Sequence, residues 1–478
     1  MTNPILRTDS YKISQARQYP PGTTELMAYM ESRGSAIGKP GTIFFGLQIF
    51  LDKLTQRITM KDVEKAKAFT DAHIGPGIFP YEGWKYVVKE LDGKIPLEIY
   101  AVPEGSYVPC HNILLRVRST DPKVSWLVSW FETQIVRAVW YPTTTATISN
   151  AVRELIYQSL LETSDNADEL ILSRLHDFAA RGVSSGESAE IGGAAHLVNF
   201  AGSDTIEGVL CANEHYAADM AGFSIPASEH STITTWGRDH EVDAYRNMLT
   251  QFAKPDALVA CVSDSYDIYK AITELWGKQL RQEVIDSGAT LIVRVDSGDP
   301  TAMVIEALEL LEQSFGTTLN SKGYKVLNHN VRLIQGDGVN EGSIRLILFK
   351  TKQHGFATDN IGFGMGGALL QQHNRDTFKF AYKVCQAVIN GKTVPVYKDP
   401  ITDPGKRSKS GMLDLVKVNG EYQTVDRSKI QPATYMMGPS ELIQVFLNGE
   451  ITHRYTLAEI RARVDERIKA ICKEPVTV

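Results

Sequence analysis

The sequence is short of cysteine: 5 in 478 residues, at positions 110, 211, 261, 385 and 472, an odd number with no CxxC pair. That excludes a disulfide-stapled secreted scaffold and a zinc knuckle, and makes a reducing cytoplasm the simplest setting. No stretch approaches the roughly eighteen uninterrupted apolar residues of a membrane span, and the opening residues lack a basic start leading into an apolar run, so neither a span nor a signal peptide is expected. Charge of one sign is never concentrated. Fifty Lys+Arg against 56 Asp+Glu leave a net charge of −6, which argues against nucleic acid or an anionic membrane as the main partner. The 11 histidines include no HExxH and no pair at zinc spacing. Internal repeats and low-complexity segments are missing as well.

What remains is an ordinary globular composition, 43% hydrophobic and 22% charged, long enough for two or three domains or for one large α/β barrel with appendages. To about residue 120, turn chemistry (Pro20-Pro21-Gly22, Pro40-Gly41) alternates with apolar runs at 97–102 and 113–117 that read as strands. From Ser125 to about Glu162 the spacing is helical and broken near Pro142, which predicts two packed helices. From about 170 to 375 a rhythm sets in: a short apolar run, a polar or glycine-rich tip, then a longer helical segment. The tips are His176-Asp177-Phe178, Gly202-Ser203-Asp204, Ser228-Glu229-His230, Ser263-Asp264-Ser265, Arg294 to Asp299, Gly336-Asp337-Gly338 and Gly364-Met365-Gly366-Gly367. Seven such tips predict an α/β fold with a β/α barrel-like catalytic domain whose ligands sit at the carboxyl ends of the strands, although periodicity alone leaves an open doubly wound sheet possible. Beyond Arg375 come strand-like pieces at 394–397 and 413–418, the basic loop Lys406-Arg407-Ser408-Lys409, and an amphipathic helix from about Thr456. The organisation expected is an N-terminal α+β domain over 1–165, a barrel-like domain over 166–380, and a C-terminal segment, 381–478, that completes the N-terminal part as a second, β-rich domain.

Arg294-Val295-Asp296-Ser297-Gly298-Asp299 sets a guanidinium and carboxylates on one turn, able to take a ribose diol or water-mediated Mg²⁺. The same residues would equally turn the chain and cap the next helix. Gly336-Asp337-Gly338 and the run Gly362, Gly364, Gly366, Gly367 let backbone N–H groups approach a phosphate. Gly362, Gly364 and Gly367 match G-x-G-x-x-G, but this comes last in the series and is followed by Arg375, Lys379 and Lys383, which fits a phosphate cradle better than a dinucleotide site. His230 stands between Glu229 and Ser231, where a carboxylate-oriented imidazole becomes a nucleophile or proton carrier; the plain alternative is a structural histidine. Phe178 with Arg181, and Tyr11, have the means to sandwich an aromatic ring, though such residues are more often core.

Long blocks in one order carry a resemblance: Thr8-Asp9-Ser10-Tyr11-Lys12, Ala101-Val102-Pro103-Glu104-Gly105, Leu175-His176-Asp177-Phe178, Arg181-Gly182-Val183-Ser184-Ser185, Glu229-His230-Ser231-Thr232, Val262-Ser263-Asp264-Ser265-Tyr266-Asp267, Ile334-Gln335-Gly336-Asp337-Gly338 and Lys406-Arg407-Ser408-Lys409. Nearly end to end, the sequence resembles the nicotinamide phosphoribosyltransferases within the wider nicotinate-type phosphoribosyltransferases. The resemblance implies synthesis of nicotinamide mononucleotide and pyrophosphate from nicotinamide and phosphoribosyl pyrophosphate in NAD salvage, with Mg²⁺, in a homodimer with shared active sites.

It further implies that Phe178 and Tyr11, the latter from the partner subunit, stack on the pyridine ring while Asp204 and Arg294 hold the carboxamide. Asp296 would bind the ribose hydroxyls and, with Asp337, support the metal. Gly336, Gly366, Gly367 and Arg375 would receive the ribose phosphate, and Arg181, Arg33, Lys383, Lys398 and Lys406 the other phosphates. His230 matches a phosphorylatable histidine that couples ATP, as phosphoryl donor, to product formation; Glu229 or Asp267 would orient it. Three departures bear on the pocket: Met365 where relatives commonly carry Ser, Ala180 in place of an aromatic, and a short loop between Arg33 and Thr42. A nicotinate enzyme and a non-catalytic binding protein on the same scaffold are the alternatives.

Overall fold

The computed structural model describes residues 3–403, 406–429 and 438–473; the remainder of the expected 381–478 segment lies outside the described residues. Two compact units emerge, one made of 1–147, 215–217 and 373–464, the other of 148–214, 218–372 and 465–478. The sequence places the first division near 165; here it falls inside the helix Glu132–Thr163.

The second unit is built on six parallel strands, in the order Gly202–Ser203, Leu175–Asp177, Ile361–Met365, Val331–Gln335, Thr290–Val295, Leu258–Val262. They are short runs rich in Val, Ile and Leu, many of them buried, as parallel strands covered by helices must be. Between the two edges runs the segment 223–227, with a parallel bridge from Phe223 to Gly202 and another from Ala227 to Ala260. Followed round through that segment, the strands come in chain order. This is the arrangement of a β/α barrel, and it settles the choice against an open doubly wound sheet, whose strand order reverses at a switch point. Helices follow the tips because the tips cap them. Asp299 accepts from the Ala302 N–H at 2.8 Å with Pro300 at the first helical position, and Asn340 closes a capping box on Ser343.

The first unit holds a seven-stranded sheet in which early and late segments alternate: Lys392–Pro395, Phe380–Ile389, Thr23–Ser32, Ile113–Ser119, Leu97–Ala101, Ile443–Leu447 and Glu450–Ile451. All its pairings are antiparallel. Thr23–Ser32 is an interior strand, paired with Phe380–Ile389 on one side and with the central strand Ile113–Ser119 on the other. It runs almost wholly buried from Leu26 to Ser32.

One expectation is corrected. Pro142 does not break the helical stretch into two; it sits inside a single helix, Glu132–Thr163. Gly46, at φ +98°, leaves room for the proline ring, since a Cβ there would lie 2.3 Å from Pro142 Cγ. The Thr143 hydroxyl, 3.1 Å from the Phe45 carbonyl, ties the neighbouring turn to the same segment. Tertiary contacts thus offset the cost of a proline in a helix interior. No helix among the described residues is long and apolar enough to cross a membrane.

Candidate active site

At the carboxyl ends of the barrel strands, side chains from several tips converge on Gly336. A Cβ placed there would lie 3.1 Å from Arg294 Nε, 3.2 Å from Asp296 Oδ1 and 3.5 Å from Phe178 Cε2. Arg294 donates to Asp296 Oδ1 through Nη2 at 2.6 Å and Nε at 3.2 Å, and its guanidinium carbon lies 5.6 Å from the centroid of the Phe178 ring. Ring and cation therefore form one surface, apolar on one side and hydrogen-bonding on the other.

Phe178 is fixed from below. Its N–H donates to the Met365 carbonyl at 3.0 Å, and the neighbouring Ala179 N–H donates to Asp177 Oδ1 at 2.8 Å. The Asp177 carbonyl in turn accepts from the Asp204 N–H at 3.0 Å, so one buried residue sets both the aromatic floor and the next strand end. Burial pushes the Asp177 carboxyl up to about 6, with the neighbouring charge of Asp204 adding to it. Burial also lowers the pKa of His176. Asp204 is exposed at its tip, and the Ser224 hydroxyl donates to its Oδ1.

His230 opens a short helix, half exposed, with Nε2 3.0 Å from Asp264 Oδ1 and Nδ1 3.8 Å from Asp296 Oδ2. The Asp264 side chain is 3% exposed, and its second oxygen accepts from the Asp296 N–H at 3.1 Å and from the Ser297 hydroxyl. The orienting carboxylate is thus neither of the two expected. Asp267 caps the turn Ile268–Lys270, accepting from the Lys270 N–H at 3.0 Å, while Glu229 accepts from the Ser231 hydroxyl and faces Arg181 at 4.0 Å. Sequence reading names the tip that holds Asp264 but passes over the residue, because two aspartates three positions apart look equivalent until one of them is spent on a cap. Ser224 and Ser297 were missed too; serines on loops carry no signal of their own.

Asp337 is exposed, one position beyond Gly336. Its strand pairs in parallel with that of Asp296, Gln335 opposite Val295, so the two carboxylates stand on neighbouring strand ends. Gly366 precedes the short helix Gly367–Leu370. The Met365 side chain is buried, 1% exposed, and Ala180 lies in the turn Ala180–Gly182.

The first unit carries the other expected residues. Arg33 Nε donates to Glu31 Oε1 at 2.8 Å. The Lys383 ammonium donates to the Tyr382 carbonyl at 2.9 Å, and its pKa is lowered by burial and by the cations Arg33, Lys12 and Lys398, against the pull of Glu132. Lys398 is exposed, Lys406 pairs with Asp403 at 3.0 Å, and Arg375 lies 3.3 Å from Asp376. Tyr11 is 62% exposed, over the buried Lys12.

Residues 173–432 match the nicotinate phosphoribosyltransferase (NAPRTase) family, and residues 3–99 match the nicotinamide phosphoribosyltransferase N-terminal domain. A nicotinamide phosphoribosyltransferase of Xanthomonas campestris pv. campestris is 51% identical over 470 residues, covering 97% of this chain and 98% of that protein. The chain belongs to the NAPRTase family. A second relative, the nicotinamide phosphoribosyltransferase of Acinetobacter baylyi, is 31% identical over 98% of both chains. Among solved structures, the nicotinate-nucleotide pyrophosphorylase of Pyrococcus furiosus shares the fold, with a TM-score of 0.63 at 18% identity over 99% of this chain and 97% of that one. Human nicotinic acid phosphoribosyltransferase does so at 0.56 and 15%, over 96% and 93%. In this NAPRTase chain the ring, the guanidinium and the carboxylates described above all lie at the ligand-bearing end of the barrel.

Proposed function

We propose that this chain makes nicotinamide mononucleotide and pyrophosphate from nicotinamide and phosphoribosyl pyrophosphate, as an enzyme of NAD salvage. The observation that carries the reading is the meeting of Phe178, Arg294 and Asp296 at Gly336, next to a strand end that presents the Asp204 carboxylate. The pyridine lies on the Phe178 ring. Arg294 donates to the carboxamide oxygen and Asp204 accepts from its NH₂, whereas the carboxylate of nicotinate meets a like charge there.

The pyridine nitrogen is a weak nucleophile, so the bond from C1 of the ribose to pyrophosphate breaks ahead of the new C–N bond, and positive charge builds on the sugar. Pyrophosphate leaves with the electron pair and the product nitrogen becomes cationic; no proton need move. Catalysis is then placement plus a fixed negative charge, supplied by Asp296 at the ribose. Two carboxylates on adjacent strand ends, Asp296 and Asp337, suit Mg²⁺, a hard cation that takes oxygen ligands; when bound it offsets the charge of the departing diphosphate. Arg181 on this unit, and Arg33, Arg375, Lys383, Lys398 and Lys406, receive phosphate groups. A cytoplasmic homodimer, with Tyr11 of the partner subunit on the other face of the pyridine, completes the reading.

Assays with nicotinamide and nicotinate side by side test it. Wild-type kcat/KM is expected to favour the amide by about 100-fold or more, and Asp204→Asn to shrink that ratio about tenfold or more, the site losing both its acceptor for NH₂ and its repulsion of the acid. Equal use of the two by the wild type would overturn the amide reading.

His230 we read as the acceptor of a phosphoryl group from ATP. With Nε2 held by Asp264, Nδ1 attacks the γ-phosphorus, the bond to the β-phosphate oxygen breaks, and ADP leaves. The phosphoimidazole then adds negative charge near the pyrophosphate and couples ATP hydrolysis to product formation. A pulse of γ-labelled ATP is expected to leave acid-labile, base-stable label on the wild type and none on His230→Ala, which retains basal nucleotide synthesis; equal labelling of both would remove the assignment.

A further inference from the structure

In the first unit, the strand Thr23–Ser32 places Tyr29 and Glu31 two positions apart, on one face. Glu31 is 2% exposed, and a carboxylate so buried is costly unless it is paired and hydrogen-bonded. Its Oε1 accepts from Arg33 Nε at 2.8 Å and from the Tyr29 hydroxyl at 3.4 Å, and its Oε2 accepts from the Lys409 ammonium. The Lys409 N–H donates to the Tyr29 oxygen at 2.9 Å, which docks the basic loop on the strand. Burial, and then the Glu31 charge, push the Tyr29 hydroxyl up to about 12, so it stays a donor.

One carboxylate thus serves two cations, with Lys383 opposite Tyr29 in the strand register. Donor capacity is left over: Arg33 Nη2 is buried with no hydrogen-bond partner. A guanidinium nitrogen without an acceptor, an ammonium 29% exposed and a further lysine nearby fit a polyanion with several oxygens.

We propose that Glu31 is a positioning residue for the pyrophosphate end of the donor, holding Arg33 and Lys409 as one clamp, with Lys409 a phosphate-binding residue in its own right. This rests on the phosphoribosyl-transfer reading above. Simple electrostatics says a carboxylate beside two cations weakens anion binding; positioning says that removing it weakens binding, because Lys409 is released. The two accounts differ in sign.

The test uses the full chain, with pyrophosphate binding by calorimetry and steady-state kinetics in phosphoribosyl pyrophosphate. Lys409→Met is expected to raise the pyrophosphate Kd and the donor KM about tenfold, the size of a charge-assisted hydrogen bond. Glu31→Gln is expected to do the same, with kcat and the nicotinamide KM moving far less and Glu31→Asp recovering most of the loss. The double variant Glu31→Gln/Lys409→Met should be no worse than Glu31→Gln alone, since the lysine contributes only while the carboxylate holds it. Tighter binding by Glu31→Gln, additive losses in the double variant, or an unchanged Kd in Lys409→Met would each overturn the proposal. If Glu31→Gln does not fold, Lys409→Met and Lys409→Arg decide, because Lys409 is partly exposed: loss in the first with recovery in the second supports the clamp. A wild type that neither binds pyrophosphate nor turns over would instead sink the function on which the clamp depends.

Discussion

Asp296→Asn is expected to lower kcat/KM for nucleotide formation by about 10³-fold, mostly in kcat, with the protein still folded. The size is that of removing one preorganised charge-stabilising group from a reacting centre. Asp296 holds three groups at once: Oδ1 takes both nitrogens of the Arg294 fork, Oδ2 lies 3.8 Å from His230 Nδ1, and its N–H is bonded to Asp264. Asparagine keeps the volume, the backbone bond and one acceptor oxygen. It loses the charge, so Arg294 is no longer drawn toward the ribose side, and the fixed negative charge of residue 296 no longer faces the sugar as it becomes cationic. A loss confined to KM would mean that the residue binds ground and transition states alike and would remove Asp296 from the chemistry. The internal control is Asp299→Asn, three positions along the same turn. Asp299 caps the helix Pro300–Phe315; its replacement by a residue that caps about as well should leave kcat and melting temperature nearly unchanged.

That contrast within one turn shows what the sequence makes legible. Arg294 to Asp299 admits two readings, ligand site and helix cap, and the structure uses both: Asp296 takes the first and Asp299 the second. Strand ends are readable because a short apolar run followed by Asp, Ser, Gly or His is a local pattern. Ring closure is not local. The segment 223–227 is joined to the edges only by isolated bridges at Phe223 and Ala227, and its Ser-Ile-Pro-Ala composition gives no strand signal, so barrel and open sheet look alike along the chain. The same limit explains Pro142, whose place inside a helix depends on Gly46, nearly a hundred residues away in sequence. It explains His230 as well. The orienting carboxylate comes from a different strand end, and only the folded geometry separates Asp264, bonded to the imidazole, from Asp267, spent on a cap. Interleaving of early and late strands in the first sheet is likewise a matter of long-range pairing, with Thr23 opposite Ile389.

The glycines of G-x-G-x-x-G give the second large effect. A methyl added at Gly364 would lie 2.0 Å from Phe178 Cε2 and 2.1 Å from Cδ2, inside any tolerable contact, whereas one added at Gly362 would find its nearest neighbour, Ile334 Cγ1, at 3.8 Å. The Phe178 backbone cannot yield, being bonded to the Met365 carbonyl on the same strand as Gly364, so the ring must swing. Gly364→Ala is therefore expected to cost about 1–3 kcal/mol of stability from overpacking. It should also raise the nicotinamide KM about 10- to 100-fold as the aromatic floor turns away, 1.4 kcal/mol being a factor of ten. Gly362→Ala, in the same motif, should change neither. Combining Gly364→Ala with Phe178→Ala separates the two effects. Removing the ring relieves the clash, so the double variant should melt no lower than Phe178→Ala alone, yet nicotinamide affinity should stay lost because the stacking surface is gone. If Gly362→Ala impaired the enzyme as much as Gly364→Ala, the motif would be acting through its backbone on a ligand, and Gly364 would not be the seat of the ring.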